Sequence, residues 1–379
     1  MVELLGPSWR LALDAGSLHR QPAGVGVYVR GLAHGLSTLM PERLALIGVR
    51  AGVELSAATT ASAIPAVPFQ APNYHAWLQT RSDRDARRTS ADIVHYTNAA
   101  APLAARLPFV LTVHDLSVLR LPRFHPMARL ATTPVMLSAV ARARAIIVPS
   151  RWTRRELVRG LRVSAGRVTV IEHAPYDGTQ EAGAEDGVTG HETLERNGLK
   201  AGEFLLYVGT LEPRKNIHGL LAAFEQLAPE QPSMRLALVG AAGWHSEPIM
   251  RRIASSPVAD RVVVTGHLEP AELLHLMRSC AAFAYVSVYE GYGMPIVEAM
   301  AAGAPVVTSR TTAMPEAAGG AAVLVDPFDP ADICRGLRDA LRRADELRVA
   351  GRARSAGRSW TTVAAEHIEV YRWAAGTKR

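Results

Sequence analysis

The 379-residue sequence has little of what marks several classes of protein. Its two cysteines, Cys280 and Cys334, lie far apart without metal-ligand spacing, and we expect reduced thiols in a cytosolic protein. No apolar run approaches the ~18 residues that a membrane-spanning helix needs. Glu3 and Asp14 interrupt the start of the chain, and no signal peptide is visible. The sequence therefore predicts neither a secreted nor an integral membrane protein.

Lysine is absent from residues 1–175, and acidic residues are absent between Asp115 and Glu156. The first 175 residues hold 21 arginines against ten acidic residues, a charge of +11, whereas the rest of the chain carries −4. Eight arginines occupy the acid-free stretch: Arg120, Arg123, Arg129, Arg142, Arg144, Arg151, Arg154 and Arg155. We expect this basic face to attract phosphate, whether of a lipid, a nucleic acid or a substrate.

Strand-like and helical segments alternate through the first half, which predicts βαβ units and a largely parallel sheet. The strand-like runs are RLALDAG, RLALIGV, DIVHYT, FVLTVHD, AIIVPS and RVTVIEH. Stretches such as GVYVRGLAHGL and RWTRRELVRGL have helical spacing instead. We therefore assign residues 1–175 to a first Rossmann-like domain.

Residues 176–197 are interpreted as a linker, because they begin with YDGTQEAGAEDGVTG, which has few large apolar residues. The alternation then restarts with FLLYVG, MRLALVG, RVVVTG, AAFAYVS, APVVTS and AAVLVD. Residues 198–360 are expected to form a second Rossmann-like domain, and residues 361–379 a closing helix. The predicted fold class is α/β, with two doubly wound domains facing a central cleft, the default place for a ligand.

Two glutamates, Glu290 and Glu298, stand eight positions apart in the stretch EGYGMPIVEAMAAGAPVV. The run before them predicts a strand, the glycines a loop, and PIVEAMAA a helix that ends at Gly303. Glu298 is then expected in the first turn of that helix, at the carboxyl end of a strand. This edge of an open α/β sheet binds ligands, and a carboxylate can accept hydrogen bonds from two vicinal hydroxyls.

Two cations, Arg214 and Lys215, follow a strand in the stretch YVGTLEPRKNIHGLLAAF. They precede a predicted helix that starts near Asn216. Cations beside a helix N-terminus can neutralise a diphosphate and stabilise it as a leaving group. We expect both side chains to be exposed to such a ligand.

These two stretches resemble the retaining glycosyltransferases of family four, which have the two-domain GT-B fold, and the resemblance covers nearly the whole chain. It implies that Glu298 holds the ribose diol of a nucleotide-sugar and that Glu290 faces the donor sugar. Arg214 and Lys215 would bind the diphosphate, with Thr210 standing where many relatives have a basic residue. The same match implies further donor-binding residues: Gly209, Gly291, Tyr292, Gly293 and Met294.

His114 follows the run FVLTV and matches a histidine that lies near the donor sugar in relatives. The resemblance implies a catalytic role, since an imidazole can hydrogen-bond a sugar hydroxyl. Gly24 and Gly26 fall in a loop that approaches the donor phosphates in the family, although their spacing does not fit a dinucleotide fingerprint. Gly266 and Leu268 resemble the turn that passes the nucleotide base.

Two other features have simpler interpretations. Asp83-Arg84-Asp85 spells the D-x-D by which other glycosyltransferases hold a metal, but no strand leads into it, and we expect a solvated helix. Ser150 is expected to cap the helix that follows it.

The resemblance implies a retaining hexosyltransferase that moves mannose, from GDP-mannose, to a glycan, a lipid-linked or a small-molecule acceptor bound by the first domain. No cofactor is expected, and no metal is expected to be required, because Arg214, Lys215 and a helix N-terminus can offset the diphosphate charge. The arginines predict peripheral contact with an anionic membrane on its cytoplasmic side, and no nucleic-acid partner is expected. Two alternatives remain open: a nucleotide-sugar epimerase of the same fold, and a non-enzymatic nucleic-acid or phosphate-binding protein.

Overall fold

The computed structural model describes residues 9–18, 24–51, 53, 59, 64–175 and 187–376. By its internal contacts the chain divides into two compact units. The first unit comprises Met1–Pro122, Met127–Ala174 and Arg358–Arg379, and the second comprises Arg123–Pro126 and Pro175–Gly357. Each unit is therefore assembled from separate stretches of chain.

The first unit contains a parallel sheet whose strands, over the described residues, run in the order β3-β2-β1-β4-β5-β6-β7. The strands are β1 (Leu11–Asp14), β2 (Leu44–Val49), β3 (Ala66–Pro68), β4 (Ile93–Tyr96), β5 (Phe109–Thr112), β6 (Ala145–Val148) and β7 (Val168–Val170). All residues of β1, β2, β4, β5 and β6 are buried, as in a sheet covered on both faces. The six strand predictions are confirmed, whereas the short, largely exposed AVP of β3 carries no such sequence signal.

The second unit contains a parallel sheet in the order β10-β9-β8-β11-β12-β13. Its strands are β8 (Phe204–Val208), β9 (Arg235–Val239), β10 (Val262–Gly266), β11 (Ala282–Tyr285), β12 (Val306–Ser309) and β13 (Val323–Val325), where the six apolar runs predict them. The strand order reverses between the neighbours β8 and β11. At such a switch point the loops beyond the strands diverge and leave a crevice for a ligand.

The helices of the first unit are α1 (Val25–Leu39), α2 (Tyr74–Thr80), α3 (Ser82–Arg88), α4 (Ser117–Arg120), α5 (Met127–Leu130), α6 (Thr133–Arg142), α7 (Arg151–Arg155) and α16 (Trp360–Gly376). Those of the second are α8 (Gly187–Arg196), α9 (Ile217–Leu227), α10 (Glu247–Ala254), α11 (Pro270–Ser279), α12 (Met294–Ala302), α13 (Met314–Ala318), α14 (Pro330–Arg342) and α15 (Ala344–Ser355). Ser150 caps α7, accepting a hydrogen bond from the N–H of Thr153 at 3.0 Å, as predicted.

Helix α16 completes the first unit by packing along α1. Trp360 is 1% exposed, and a Cβ atom on Gly31 would lie 2.1 Å from its indole ring. A Cβ on Gly35 would lie 2.3 Å from the carbonyl oxygen of Trp360. The two glycines therefore permit an approach between the helices that any side chain would block.

The linker interpretation does not hold for the last part of residues 176–197, because Gly187–Arg196 forms α8. Leu194 is 7% exposed, and Arg196 forms a 2.5 Å ion pair with Glu272 of α11. Residues 176–186 lie outside the described part of the chain. The composition of residues 176–197 therefore did not predict α8, because the partner of this helix, Glu272 of α11, lies far along the sequence.

Candidate active site

Arg214 and Lys215 lie between β8 and α9, in a short 3-10 turn. Asn216 ends this turn in the left-handed region, with φ 60°, and its side chain caps α9, so the predicted helix start is confirmed. The Asn216 amide also donates to the carbonyl oxygens of Val286 and Pro327, at 3.1 and 2.6 Å. These bonds tie the turn to the loops after β11 and β13.

Glu290 accepts hydrogen bonds from both cations. Lys215 Nζ donates to Glu290 Oε1 at 2.6 Å, and Arg214 Nη1 donates to Oε2 at 2.9 Å. The Tyr285 hydroxyl donates to the same Oε1 at 3.0 Å and accepts from Lys215 Nζ at 2.7 Å. Because β8 and β11 are neighbours, the loops beyond them bring these side chains together.

Burial and charge act against each other in this cluster. Lys215 and Glu290 are 9% and 7% exposed, and the Arg214 side chain is 13% exposed. The exposure expected for the two cations is therefore wrong, because their ion pairs with carboxylates stabilise them in the interior. Burial raises the pKa of Glu290, but the charges of Arg214 and Lys215 together lower it further, and the net pKa lies below its ordinary value. Burial lowers the pKa of Lys215, against the opposing charge of Glu290. Glu290 is therefore an ionised counter-ion at neutral pH.

A second buried carboxylate, on Glu212, also pairs with Arg214. Arg214 Nη2 donates to Glu212 Oε1 at 2.9 Å, and Nη1 donates to the carbonyl oxygen of Tyr289 at 2.8 Å. Glu212 is 2% exposed. Glu212 is not among the predicted site residues, because an acidic residue in a loop carries no signal until its partner is known.

Glu298 has a different environment. It is the fifth residue of α12, which begins at Met294, so it lies in the second turn and not in the expected first turn. Burial raises the pKa of its carboxyl to about 7. Among the described residues, no side chain or backbone group makes a hydrogen bond or ion pair with it. A half-buried carboxylate without a partner is costly, which suits a group that meets a ligand.

The glycine loop before α12 is largely buried. Gly291, Tyr292 and Gly293 are buried, and the Tyr292 side chain packs in the core of the second unit. Gly293 has φ 103°, and a side chain there would meet Ile296 at 2.8 Å. Met294 is half-buried at the start of α12. Their donor-binding roles stay predictions.

Glycines also follow three adjacent strands of the second sheet. Gly209 comes after β8, Gly240 after β9, and Gly266 ends β10. A Cβ on Gly240 would lie 2.2 Å from the carbonyl oxygen of Gly209, so backbone packing requires glycine here. Gly240 is not among the predicted site residues, although it ends the strand-like run MRLALVG. Leu268 is 8% exposed and packs in the core, which leaves its predicted contact with a base to the backbone.

Thr312, which follows β12, supports Glu290 from a third loop. Its hydroxyl accepts a hydrogen bond from the N–H of Glu290 at 3.1 Å. Its φ is 56°, a left-handed conformation that β-branched residues rarely adopt. Strain of this kind concentrates at functional sites, and no local sequence pattern predicts it here.

His114 lies in the first unit, two residues after the end of β5. Its Nε2 is 2.9 Å from the carbonyl oxygen of Thr97, which can only accept, so Nε2 carries the proton. Burial lowers the pKa of the imidazole, which favours the neutral ring. Nδ1 therefore holds a lone pair that can accept from a hydroxyl. The ring packs edge-on against Tyr28, with centroids 4.9 Å apart.

The Tyr28 hydroxyl belongs to a buried hydrogen-bond network of neutral side chains. The Tyr28 hydroxyl is 2.8 Å from Thr112 Oγ1 and 3.0 Å from His367 Nε2. His95 bridges the same Thr112 hydroxyl, at 2.7 Å, and the Tyr371 hydroxyl, at 2.7 Å. Burial lowers the pKa of His95, and that of His367 to about 4. This network could not be predicted from the sequence, because its members come from four elements that are distant along the chain.

Comparison with known proteins places this geometry in a family. The Glycosyltransferase Family 4 model matches residues 22–174, and the model of glycosyl transferases group 1 matches residues 192–357. The O-antigen chain mannosyltransferase B of Escherichia coli is 32% identical over 272 residues, which is 69% of this chain and 70% of that protein. The chain belongs to the group 1 and family 4 glycosyltransferases.

Other relatives match the glycosyltransferase over a shorter part of their length. The serotype-specific mannosyltransferase WbdA of Escherichia coli is 31% identical over 62% of this chain, which spans 29% of WbdA. The MMP alpha-(1->4)-mannosyltransferase of Mycolicibacterium hassiacum is 36% identical over 42% of this chain and 40% of its own length.

Solved structures confirm the predicted fold class of this glycosyltransferase. Alr3699/HepE of Anabaena, in complex with UDP and glucose, gives a TM-score of 0.73 at 18% identity, covering 96% of this chain and 99% of that one. The sucrose-phosphate synthase of Thermosynechococcus elongatus gives 0.74 at 19% identity, covering 97% and 99%. Two parallel Rossmann-like sheets with helices, as in GT-B glycosyltransferases, are the shared architecture.

Gly24 and Gly26 lie at the start of α1 in the glycosyltransferase. Gly24 has φ 51°, with no described atom within 4 Å of where a Cβ would be, and Gly26 is buried. Residues 19–23 of the same loop lie outside the described part of the chain. The approach of this loop to phosphate stays a prediction.

The D-x-D stretch forms α3, as predicted, and its arginine Arg84 is exposed, but its two aspartates are largely buried. Asp85 is 7% exposed and accepts from Trp77 Nε1 at 2.9 Å. Asp83 accepts from the backbone N–H groups of Arg106 and Leu107 at 2.8 and 3.1 Å. Both carboxylates are therefore used within the fold.

The described residues contain no group of three or more His, Cys, Asp or Glu side chains arranged to hold a metal ion. None of the helices they form combines the length and apolar character needed to cross a bilayer.

Proposed function

We propose that this glycosyltransferase transfers mannose from GDP-mannose to a glycan or lipid-linked acceptor, with retention of anomeric configuration. The observation that carries the proposal is the convergence of Arg214, Lys215 and Glu290 where the strand order reverses. Cations at that edge suit a diphosphate leaving group. The choice of mannose rests on the mannosyltransferases among the relatives.

In this proposal the unpartnered carboxylate of Glu298 accepts hydrogen bonds from the ribose hydroxyls. Arg214 and Lys215 bind the diphosphate, and Glu290 contacts hydroxyls of the donor sugar. His114, whose Nδ1 can accept from a hydroxyl, contacts the sugar and orients it for transfer. The ionised state of Glu290 and the neutral state of His114 suit the roles proposed for them.

The reaction would proceed on one face of the sugar. The acceptor hydroxyl attacks the anomeric carbon as the bond to the diphosphate breaks, and a departing phosphate oxygen takes the hydroxyl proton. The cations offset the developing charge, so no metal is needed. A double displacement would require a carboxylate free to attack the anomeric carbon, and Glu290 is already committed to Arg214 and Lys215.

A panel of GDP-, UDP- and dTDP-sugars, each tested by thermal shift, checks the donor. GDP-mannose is expected to raise the melting temperature most, because only bound donor stabilises the folded state. Proton NMR of the product anomers in excess EDTA then checks the chemistry. An inverted product would overturn retention, and loss of turnover in EDTA would overturn the metal-free reaction.

We also propose that the first unit contacts anionic membrane at its cytoplasmic face, where a lipid-linked acceptor would be presented. Met127, in α5, is 79% exposed, and Arg129, Arg151 and Arg155 are exposed. Four further arginines of the basic face donate hydrogen bonds to protein groups: Arg120 and Arg142, which are also exposed, and Arg144 and Arg154, which are half-buried.

Co-sedimentation with phosphatidylglycerol vesicles at low salt tests the membrane contact. Binding is expected to weaken as salt rises, and Met127→Glu to weaken it several-fold, roughly the effect of removing one apolar anchor. Met250→Glu, a half-exposed methionine of the second unit, is the matched control. Equal binding by both variants would contradict the proposal.

A further inference from the structure

Glu212 lies directly before Pro213 in the loop after β8, and the roles proposed above leave it unused. Its side chain is 2% exposed, and its Oε1 accepts from Arg214 Nη2 at 2.9 Å. Burying a carboxylate is costly unless its interactions offset the lost hydration. The placement of Glu212 therefore calls for a function connected with Arg214.

Arg214 is held by acceptors on two loops. Glu212 binds Nη2 from the loop after β8, whereas Glu290 and the carbonyl oxygen of Tyr289 bind Nη1 from the loop after β11. A planar guanidinium bonded through both terminal nitrogens cannot rotate without breaking one of these bonds. The two carboxylates thus fix the orientation of the Arg214 guanidinium group.

The charges of this cluster balance. Arg214 and Lys215 carry two positive charges, and Glu212 and Glu290 carry two negative charges, all within ion-pair distance. A neutral cluster attracts a diphosphate only weakly at long range. A phosphate that binds Arg214 through Nη1 must share or replace the bond that Glu290 makes there, because both Nη1 hydrogens already donate, to Glu290 and to the carbonyl oxygen of Tyr289. Arg214 then stays in place only if its other end is anchored separately.

We infer that Glu212 is a positioning residue, which anchors Arg214 through Nη2 so that Nη1 can bind the second phosphate of a nucleoside diphosphate. The inference rests on the proposed function, because it assumes that Arg214 binds the donor diphosphate. It adds a residue that touches no substrate and acts only through the arginine.

The ratio of GDP affinity to GMP affinity, measured by calorimetry, isolates the second phosphate. Glu212→Ala is expected to lower GDP affinity roughly ten- to hundredfold, the value of a charged hydrogen bond, with GMP affinity changed less than about twofold. Glu212→Gln keeps an acceptor oxygen for Nη2, so its ratio is expected within about threefold of the wild type. A residue with a merely structural role would lower stability and leave the ratio unchanged.

Glu225→Ala is the matched control, because Glu225 also pairs with an arginine of the second unit, Arg252, at 2.6 Å. Its ratio is expected to equal that of the wild type. The double variant Glu212→Ala/Arg214→Ala is expected to bind GDP no more weakly than Arg214→Ala alone, because Glu212 acts through the arginine. Additive losses would overturn the inference.

The failures of the two proposals are distinguishable. If Arg214→Ala leaves the ratio of GDP affinity to GMP affinity unchanged, Arg214 does not bind the diphosphate. The proposed function is then contradicted, and the inference with it. If Arg214→Ala lowers the ratio and Glu212→Ala does not, only the inference is overturned.

Thermal unfolding of each variant guards against a misfolded Glu212→Ala. If that variant does not fold, Glu212→Asp replaces it, since aspartate keeps the charge but retracts the carboxylate by one methylene. The same loss of GDP selectivity is expected from Glu212→Asp. A wild-type ratio in that variant would overturn the inference.

Discussion

The two units organise their buried polar side chains in opposite ways. In the second unit, full charges lie next to one another: Arg214 and Lys215 contact Glu290, and charge compensates charge. In the first unit, His114 lies against Tyr28, and burial keeps the imidazole and the phenol neutral. An ionic cluster suits an anionic ligand such as a diphosphate. A neutral network suits hydroxyl groups, which need donors and acceptors but no counter-ion.

Acid is expected to break the first unit before the second. Burial lowers the pKa of four histidines there, so below their ordinary value near 6.5 the unfolded chain binds more protons than the native one. The four are His95, His114, His173 and His367. The free energy of unfolding is therefore highest above pH 6.5 and falls towards the native pKa values, by about 1.4 kcal/mol per pH unit for each histidine.

Asp14 opposes this trend, because burial raises its pKa to about 6 and the native state then holds a proton that the unfolded chain loses. Between pH 6 and 4, this proton offsets the loss in the free energy of unfolding that about one histidine causes. Hydrogen exchange at pH 5 and 7.5, corrected for intrinsic rates, is expected to show protection lost first in β4, α1 and α16. Equal losses in both units would contradict the comparison.

Removing one cation tests the ionic side of the comparison. Lys215→Ala is expected to lower the free energy of unfolding by about 3 to 5 kcal/mol, because it leaves the buried Glu290 with less compensation. Chemical denaturation of purified variants measures the loss. Arg252→Ala is the control: its pair with Glu225 is more exposed, so a loss of about 0 to 1 kcal/mol is expected. Equal losses in the two variants would show that burial does not increase the contribution of the Lys215 ion pair to the free energy of unfolding.

Removing the imidazole tests the neutral side. His114→Ala is expected to lower kcat about a hundredfold, the lower end of the range for a positioned catalytic group, and to leave GDP affinity unchanged. Steady-state kinetics and calorimetry separate the two effects. His34→Ala, in α1, is the control variant. Unchanged kcat in His114→Ala would return the histidine to a structural role.

Glu298 gives the smallest expected effect and a pH dependence. Glu298→Ala is expected to weaken nucleotide binding by about 1.5 to 3 kcal/mol, because a charged acceptor is lost. Its pKa is raised to about 7, so the ionised acceptor is present above pH 7 and is lost as the pH falls below it. Calorimetry from pH 8 to 6 is expected to show weakening affinity in the wild type and a flatter profile in Glu298→Gln. Parallel profiles would exclude Glu298 from the ribose site.

Local patterns explain which predictions succeeded. Strands such as β8 and β12 are short apolar runs followed by glycine or polar residues, and this signal is contained in neighbouring residues. The motif positions of Arg214, Lys215 and Glu290 were also visible, since their spacing is local. Their mutual contacts follow from the adjacency of β8 and β11, which is the product of the whole sheet.

The errors share a physical cause. Arg214 and Lys215 were expected to be exposed to a ligand, but the carboxylates of Glu212 and Glu290 pair with them in the interior of the unit. The polar α8 looks like a linker until Glu272 supplies the partner of Arg196. Thr312 and Glu212 carry no local signal at all. In each case the deciding neighbour was distant in sequence.

The position of α16 has a consequence for how the protein is made. Trp360 of α16 covers Gly31 and Gly35 of α1. A nascent chain that ends at residue 174 therefore lacks the helix that completes the core of its first unit. Domains usually fold in the order in which they are synthesised. Here the ribosome must finish Pro175–Gly357 before the first unit can close. The unit translated second is therefore the first that can complete its core.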